Sequence, residues 1–252
     1  MSRRVLITGA AGLVGGILRH GLADEYELST LDARGRRAGT GKGDMTKLSS
    51  VLKAFAGQDV VVDLAADPRV TASWEAVHGN NLVATYNAFE ASRRSGVRRL
   101  IFASSNHVTG LYEHDHPYSA IVAGEYEGLD PAAIPKLDAA TTAIRPDGLY
   151  GAGKAFGEAL GRLYAEEHGL SVVCLRIGTV NEVDRPVNPR QFATLLTHAD
   201  LVGLVRAAIE APESVRFAVV YGVSRNTWAF WDLDEARETL GYVPEDDAEA
   251  WR

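Results

Sequence analysis

Short runs rich in Val, Ile and Leu recur along the chain, and stretches whose apolar residues fall at helical spacing separate them. The runs are "RRVLIT", "YELSTLD", "DVVVDLAA", "VRRLIFASS", "LSVVCLRIG" and "RFAVVYG". Between and after them lie a helix from about Gly12, "TKLSSVLKAFA", the stretch from Ala72 to Ser95, "GAGKAFGEALGRLYAEEHG", "HADLVGLVRAAIEA" and "DLDEARETLG". A strand solvated on one face alternates apolar with polar residues, whereas nearly continuous apolar strands are buried on both faces. The expected fold is therefore α/β: a doubly wound parallel sheet, of the Rossmann type, flanked by helices.

With 252 residues, 46% of them hydrophobic, the chain can bury one large core with a small appendage. The reading divides it into a dinucleotide-binding portion, 1–178, and a small substrate-binding portion, 179–252. Two segments break the rhythm. The polar, turn-rich stretch 110–146, with "EHDHPYSAIVAGEYEGLDPAAIPKLD", is long for a connection and is expected to lie over the site as a lid or to make an oligomer contact. The second is "TVNEVDRPVNPR", 179–190. A net charge of -7 argues against nucleic acid as a partner, and the basic clusters "RSGVRR" and "RGRR" read first as solvated loops, second as contacts to a cofactor phosphate. No apolar run approaches the length of a membrane span, and "MSRRVLITG" passes from a short basic lead straight into a strand, so the expected location is the cytoplasm, with no membrane partner. Cys174, the single cysteine, sits in an apolar run and reads as a buried thiol. The spacing in "EHDHP", Glu113 to Pro117, fits no strong zinc pattern, and no metal is expected.

"VLITGAAGLVGG" places Gly9, Gly12 and Gly15 after a strand and at the start of a helix. There glycine permits a tight turn and close backbone approach to a pyrophosphate, whose charge the helix N-terminal amides favour. Tight packing of strand on helix would ask for glycines as well. Asp32 ends the second strand, where a carboxylate accepts from the adenosine ribose hydroxyls and repels a 2′-phosphate. That favours NAD over NADP, although Arg34, Arg36 and Arg37 follow closely. Asp44, in "GDM", is placed either to bond the adenine amine or to cap a helix.

In "RPDGLYGAGKAFGE" Tyr150 precedes Lys154 by four residues. With nine tyrosines and five lysines, chance gives such a spacing in roughly one sequence of this composition in five, so the pair needs its context. On a helix the two side chains share a face. A tyrosine acting as base at neutral pH needs its pKa lowered from about 10 to about 7, roughly 4 kcal/mol of differential stabilisation, and an adjacent ammonium is the expected source.

Together "TGAAGLVG", "DLAA", "FASS" and the Tyr150/Lys154 pair, in this order and context, resemble the extended short-chain dehydrogenases/reductases, the NAD-dependent epimerase/dehydratase type. Within that superfamily "FASSNHVTG", "RPDGLYGAGKAFGE", "RIG" and the C-terminal "YGVSRNTWAFWDLDEARETLGYVPEDDAEAWR" are similar to uronate dehydrogenases and related NAD-dependent sugar dehydrogenases. The resemblance implies Tyr150 as base, Lys154 as its electrostatic support and Ser105, with Ser104 as competitor, as the residue orienting the reacting oxygen. For NAD it implies Gly9, Gly12, Leu13, Val14 and Gly15 at the turn, and Asp32, Asp44 and Met45 toward the adenosine. Leu64, Ala65, Ala66, Asn81, Ala103 and Ile177, with Tyr150 and Lys154, then complete the cofactor contacts. For the substrate it implies Arg69, Ser105, Asn106, His107, Tyr150, Thr179 and Arg190; Arg190 precedes His198 by the interval that sets the substrate-carboxylate arginine of uronate dehydrogenases. The expected activity is oxidation of the anomeric hydroxyl of a hexuronic acid or similar aldose to the aldonolactone. A glucose-6-phosphate or other aldose dehydrogenase, a sugar epimerase retaining NAD, and a regulatory dinucleotide-binding protein remain as alternatives. A homo-oligomer is expected by analogy. Two departures bear on the substrate: 110–145 is longer than expected of uronate dehydrogenases, and Arg69 stands where they carry a small polar contact.

Overall fold

The computed structural model describes residues 2–33 and 41–252. Arg34, Arg36 and Arg37 lie outside the described residues. Seven strands form one sheet: β1 (Arg4–Thr8), β2 (Glu27–Asp32), β3 (Gly41–Lys42), β4 (Val60–Asp63), β5 (Arg99–Ser105), β6 (Ser171–Ile177) and β7 (Phe217–Gly222). Their order is β3-β2-β1-β4-β5-β6-β7, and every neighbouring pair is parallel. The winding direction reverses between β1 and β4. Beyond the carboxyl ends of the strands at such a switch point is where open α/β sheets hold ligands.

The helices follow in chain order as α1 (Leu13–Gly21), α2 (Leu48–Phe55), α3 (Trp74–Val77), α4 (Ala84–Arg94), α5 (Tyr118–Ala123), α6 (Leu149–His168), α7 (Gln191–Thr194), α8 (His198–Glu210) and α9 (Asp234–Leu240). Successive strand residues point to opposite faces, and the sequence supplies apolar side chains at both. Val5 and Ile7 join Leu18 of α1, Leu201, Leu204 and Val205 of α8 and Leu240 of α9 in one core. Leu6 points the other way, with Phe102 and Cys174, onto Phe55 of α2, Phe89 of α4 and Tyr164 of α6. Cys174 is a buried free thiol. A Cβ on Gly157 of α6 would come within 2.3 Å of the Phe102 ring, so its absence lets α6 lie close on β5. No helix among the described residues is long and apolar enough to cross a membrane.

Residues 179–252 do not stand apart. β7 extends the main sheet beside β6, and α8 packs on β1 through the core shared with α1. The long segment also has a core of its own: Tyr118, Ile121, Ile134 and Leu137 bury against Ala193, Tyr221, Trp228 and Phe230. It is thus a packed layer over the C-terminal part, where the sequence reading placed a loop over the site.

Candidate active site

Thr8 and Asp63 lie side by side at the ends of β1 and β4, and the Thr8 hydroxyl donates to Asp63 at 2.5 Å. The same oxygen accepts from the N–H groups of Leu64 and Ala65, at 3.2 and 3.3 Å, fixing the "DLAA" turn beside the glycine turn. Gly9 has a φ of +63°, and a Cβ there would meet the Leu64 carbonyl at 2.9 Å. At Gly15 a Cβ would sit 2.7 Å from the Gly9 oxygen and the Ala10 Cα, whereas at Gly12 the nearest atom is 3.3 Å away. Two of the glycines therefore serve the close packing of strand, turn and helix, and Gly12 leaves the approach to α1 open. The first-turn amides of α1, which no helix satisfies internally, point at that approach.

A cavity of about 890 Å³ runs along this carboxyl edge. Gly9, Gly12, Leu13, Val14, Gly15, Asp32, Asp44, Met45, Leu64, Ala65, Ala66, Ala103 and Ile177 line it, as do Ser105, Asn106, His107, Tyr150, Lys154, Thr179 and Arg190. At the adenosine end Asp32 accepts from the N–H of Ala11 at 3.1 Å. Asp44 accepts from the N–H and hydroxyl of Thr46, at 3.0 and 2.6 Å, and these bonds hold its carboxyl below the usual range. Asp44 lines the cavity wall, whereas α2 starts from Lys47 with no side-chain cap, so the cap role is not the one it takes; its bonds close the turn ahead of the helix.

Two expected residues lie elsewhere. The Asn81 side chain accepts from the N–H of Asp67 at 2.8 Å and donates to its carbonyl at 3.1 Å, and Asn80 lines the cavity in its place. The backbone between α3 and α4, His78–Val83, is a π-helix. A wider turn shifts the helical register by a residue, so the face that looks into the cavity is not the one a regular helix would present. The Arg69 side chain is 69% exposed and pairs with Asp67 at 2.5 Å, outside the cavity wall.

At the other end, α6 begins at Leu149 and carries Tyr150 and Lys154 one turn apart. Burial pushes the Tyr150 phenol up, a hydrogen bond with Ser105 pulls it down, and the Asp147 carboxylate pushes it up again. The Lys154 ammonium donates to the Ala103 carbonyl at 2.6 Å and lies 5.7 Å from the centroid of the Tyr150 ring. Burial pushes it down to about 8, opposed by Asp63. Asp63 is in turn pushed up to about 6 by burial, against the Thr8 hydrogen bond, the Lys154 charge and the Ala65 amide.

The two serines of "FASS" have different partners. Ser104 donates to Glu158 at 2.6 Å, and Glu158 also holds Arg176 in a two-pronged pair at 2.9 Å, so that hydroxyl is committed to the interior. Ser105 faces the phenol, and its oxygen also accepts from the N–H of His107 at 3.2 Å. His107 pairs through Nδ1 with Asp147 at 2.6 Å, its ring edge-on to Tyr150 with centroids 5.9 Å apart. The buried Nδ2 of Asn106 has no hydrogen-bond partner. Arg190 donates from Nε and Nη2 to both oxygens of Glu113, at 2.6 and 2.7 Å, and from Nη1 to the Thr179 hydroxyl at 3.2 Å. In "EHDHP" Glu113 is therefore engaged by Arg190, and Asp115 pairs with Arg145. Asp147 and Glu113 were not singled out for these roles in the sequence. Asp147 stands inside the motif quoted for its tyrosine, but only the folded chain pairs Glu113 with a residue 77 positions away.

The family model described as "NAD dependent epimerase/dehydratase family" matches residues 5–182. The NAD-dependent glucose-6-phosphate dehydrogenase of Haloferax volcanii is 34% identical, over 98% of this chain and 95% of its own length. The L-arabinose 1-dehydrogenase (NAD(P)(+)) of the same organism is likewise 34% identical, over 97% of both. The crystal structure of uronate dehydrogenase from Agrobacterium tumefaciens superposes with a TM-score of 0.83 at 33% identity, covering 99% of this chain and 87% of that one. The chain belongs to the NAD-dependent epimerase/dehydratase family, with NAD as its cofactor.

Proposed function

We propose that this NAD-dependent dehydrogenase oxidises the anomeric hydroxyl of a hexuronic acid or similar aldose to the aldonolactone. The observation that carries the reading is that Ser105, Tyr150 and Lys154 line one end of the cavity that the glycine turn and Asp32 enter from the other. NAD, when bound, supplies the acceptor for the hydride that leaves C1. Tyr150 takes the hydroxyl proton, and Ser105 holds the reacting oxygen against the phenol. Lys154, one turn along α6 with its ammonium 5.7 Å from the centre of the phenol ring, supplies the positive charge beside the base. Asn106 offers an unpaired amide, His107 presents its ring with Asp147 fixing the orientation, and Thr179 and Arg190 close the sugar end.

The dinucleotide would lie across the switch point, its pyrophosphate on the amides of α1 and its adenosine between Asp32 and Asp44. In the same reading the protein works in the cytoplasm as a homo-oligomer. The test is NADH formation across glucuronate, galacturonate, glucose and glucose 6-phosphate, with Tyr150→Phe as control. The expected result is turnover of at least one sugar, abolished in the variant while NAD affinity stays nearly intact. Retained turnover in Tyr150→Phe rules the assignment out.

A further inference from the structure

Among the described residues, the cavity is lined by two basic side chains, Lys154 and Arg190, and three carboxylates, Asp32, Asp44 and Asp67. Lys154 is spent on the Ala103 carbonyl and the neighbouring Asp63. Any negative charge on a sugar would therefore have to be met at Arg190, and Arg190 is already paired. Glu113 takes its Nε/Nη2 edge with two charge-assisted bonds, in a setting where the carboxylate side chain is only 12% exposed and the guanidinium 28%. Solvent screens such a pair far less than a surface one.

A guanidinium has five N–H donors. Glu113 uses two and Thr179 one, which leaves one N–H on each of Nη1 and Nη2. Those two donors suit hydroxyl oxygens. A carboxylate or phosphate arriving there meets a pair whose charge is balanced, with the Glu113 carboxylate on the far edge repelling it. Glu113 is also held in place. It sits in a run of 3-10 turns, Asn106–His114, that continues directly from β5, and Leu111 and Arg145 tie that run to the approach to α6. The rest of the long segment is anchored in its own core by Tyr118 and Ile121.

We propose that Glu113 sets the charge class of the substrate: by balancing Arg190 it makes the sugar end of the cavity select uncharged aldoses over sugar acids and sugar phosphates. The inference rests on the dehydrogenase reading and narrows its substrate. Cancelling a charge at one partner, where a competing anion would otherwise gain a bidentate bond, changes relative affinity by an order of magnitude or more.

The experiment compares matched pairs, glucose with glucuronate and galactose with galacturonate, by kcat/KM for NADH formation in the wild type and in Glu113→Gln. The substitution keeps the volume and one acceptor while removing the charge. In the wild type the neutral sugar of each pair is expected to lead by at least tenfold. In Glu113→Gln the acid-to-neutral ratio is expected to rise at least tenfold, through KM. Equal loss on both sugars would mean that Glu113 merely positions Arg190, and a wild type preferring the acids tenfold would overturn the proposal without any variant. Calorimetric titration of the NADH complex with glucose and glucuronate separates the two readings. If no sugar is turned over, the dehydrogenase reading falls, while a tenfold gain in glucuronate affinity on Glu113→Gln still supports the charge claim and an unchanged affinity refutes it.

Discussion

Replacing Glu158 by Gln should cost this protein a large part of its stability, because the residue is the only carboxylate in contact with a buried guanidinium among the described residues. Arg176 and Glu158 are 3% and 6% exposed, with Nη2 to Oε2 and Nε to Oε1 both at 2.9 Å. Burial alone would push the Arg176 guanidinium down, and the hydrogen bonds and charge of Glu158 more than reverse it. With charge centres about 4 Å apart and an effective dielectric constant of about 20, the attraction is about 4 kcal/mol. Removing one member of a buried pair strands the other, at a cost of about 3–5 kcal/mol. For a chain of this size that is a fall in Tm of roughly 6–20 °C. Glutamine keeps the volume and can still accept from Ser104, so the loss reports the charge. Urea unfolding of the wild type, Glu158→Gln and the double variant Glu158→Leu/Arg176→Met reads it directly. The double variant should recover most of the loss, since apolar groups leave no stranded charge. A single variant within about 1 kcal/mol of the wild type, or a double variant no better than the single, would refute the reasoning. The pair joins β5, α6 and β6, which carry Ser105, Tyr150 with Lys154, and Ile177, so kcat should fall with stability.

Asp63 should give stability a downward slope with rising pH. Its carboxyl is raised from 3.8 to about 6 by burial, so the folded state holds a proton that the unfolded state releases, and stability present below about pH 4 declines as pH rises through 6. The span is about 3 kcal/mol, and Asp63→Asn, which can still accept from Thr8, should flatten the difference between variant and wild type only above pH 6, as seen in urea unfolding from pH 4 to pH 7. Gly15→Ala should lose both stability and NADH affinity, because the new Cβ has only backbone to push against at 2.7 Å. Gly12→Ala should melt near the wild-type temperature yet bind NADH at least tenfold more weakly, read by NADH fluorescence, since its Cβ enters the pyrophosphate approach. Asp32→Ser should raise the NADP-to-NAD ratio of kcat/KM at least tenfold by removing a carboxylate that repels a 2′-phosphate.

The layers of the fold were legible because the strands are buried on both faces and say so in their composition. β3 was not, since Gly41 and Lys42 are two exposed residues whose pairing with Leu31 and Asp32 leaves no apolar mark. α5 hides in a polar segment because its buried residues, Tyr118 and Ile121, are few and their cover comes from Trp228 and Phe230 far along the chain. How closely 179–252 joins the sheet was hidden for a related reason. "RFAVVYG" reads equally as a strand of a small appended sheet or of the main one, and only its pairing with β6 makes it the latter.

Within the site the same contrast holds between the two ends of the cavity. The adenosine end is built from local sequence, a glycine turn and an acidic residue closing a strand, and each of those side chains lines the cavity where the order of elements puts it. The sugar end is assembled by partners distant in sequence: His107 with Asp147, Arg190 with Glu113, Ser104 with Glu158. An arginine at the right interval from His198 identifies a guanidinium, but its charge in the folded protein depends on what stands on its other edge. Glu113 belongs to the segment whose extra length the sequence could count and not place. In the proposed reading, selection against sugar acids is therefore carried by this long segment, and it acts on Arg190, which the resemblance assigns to holding a substrate carboxylate.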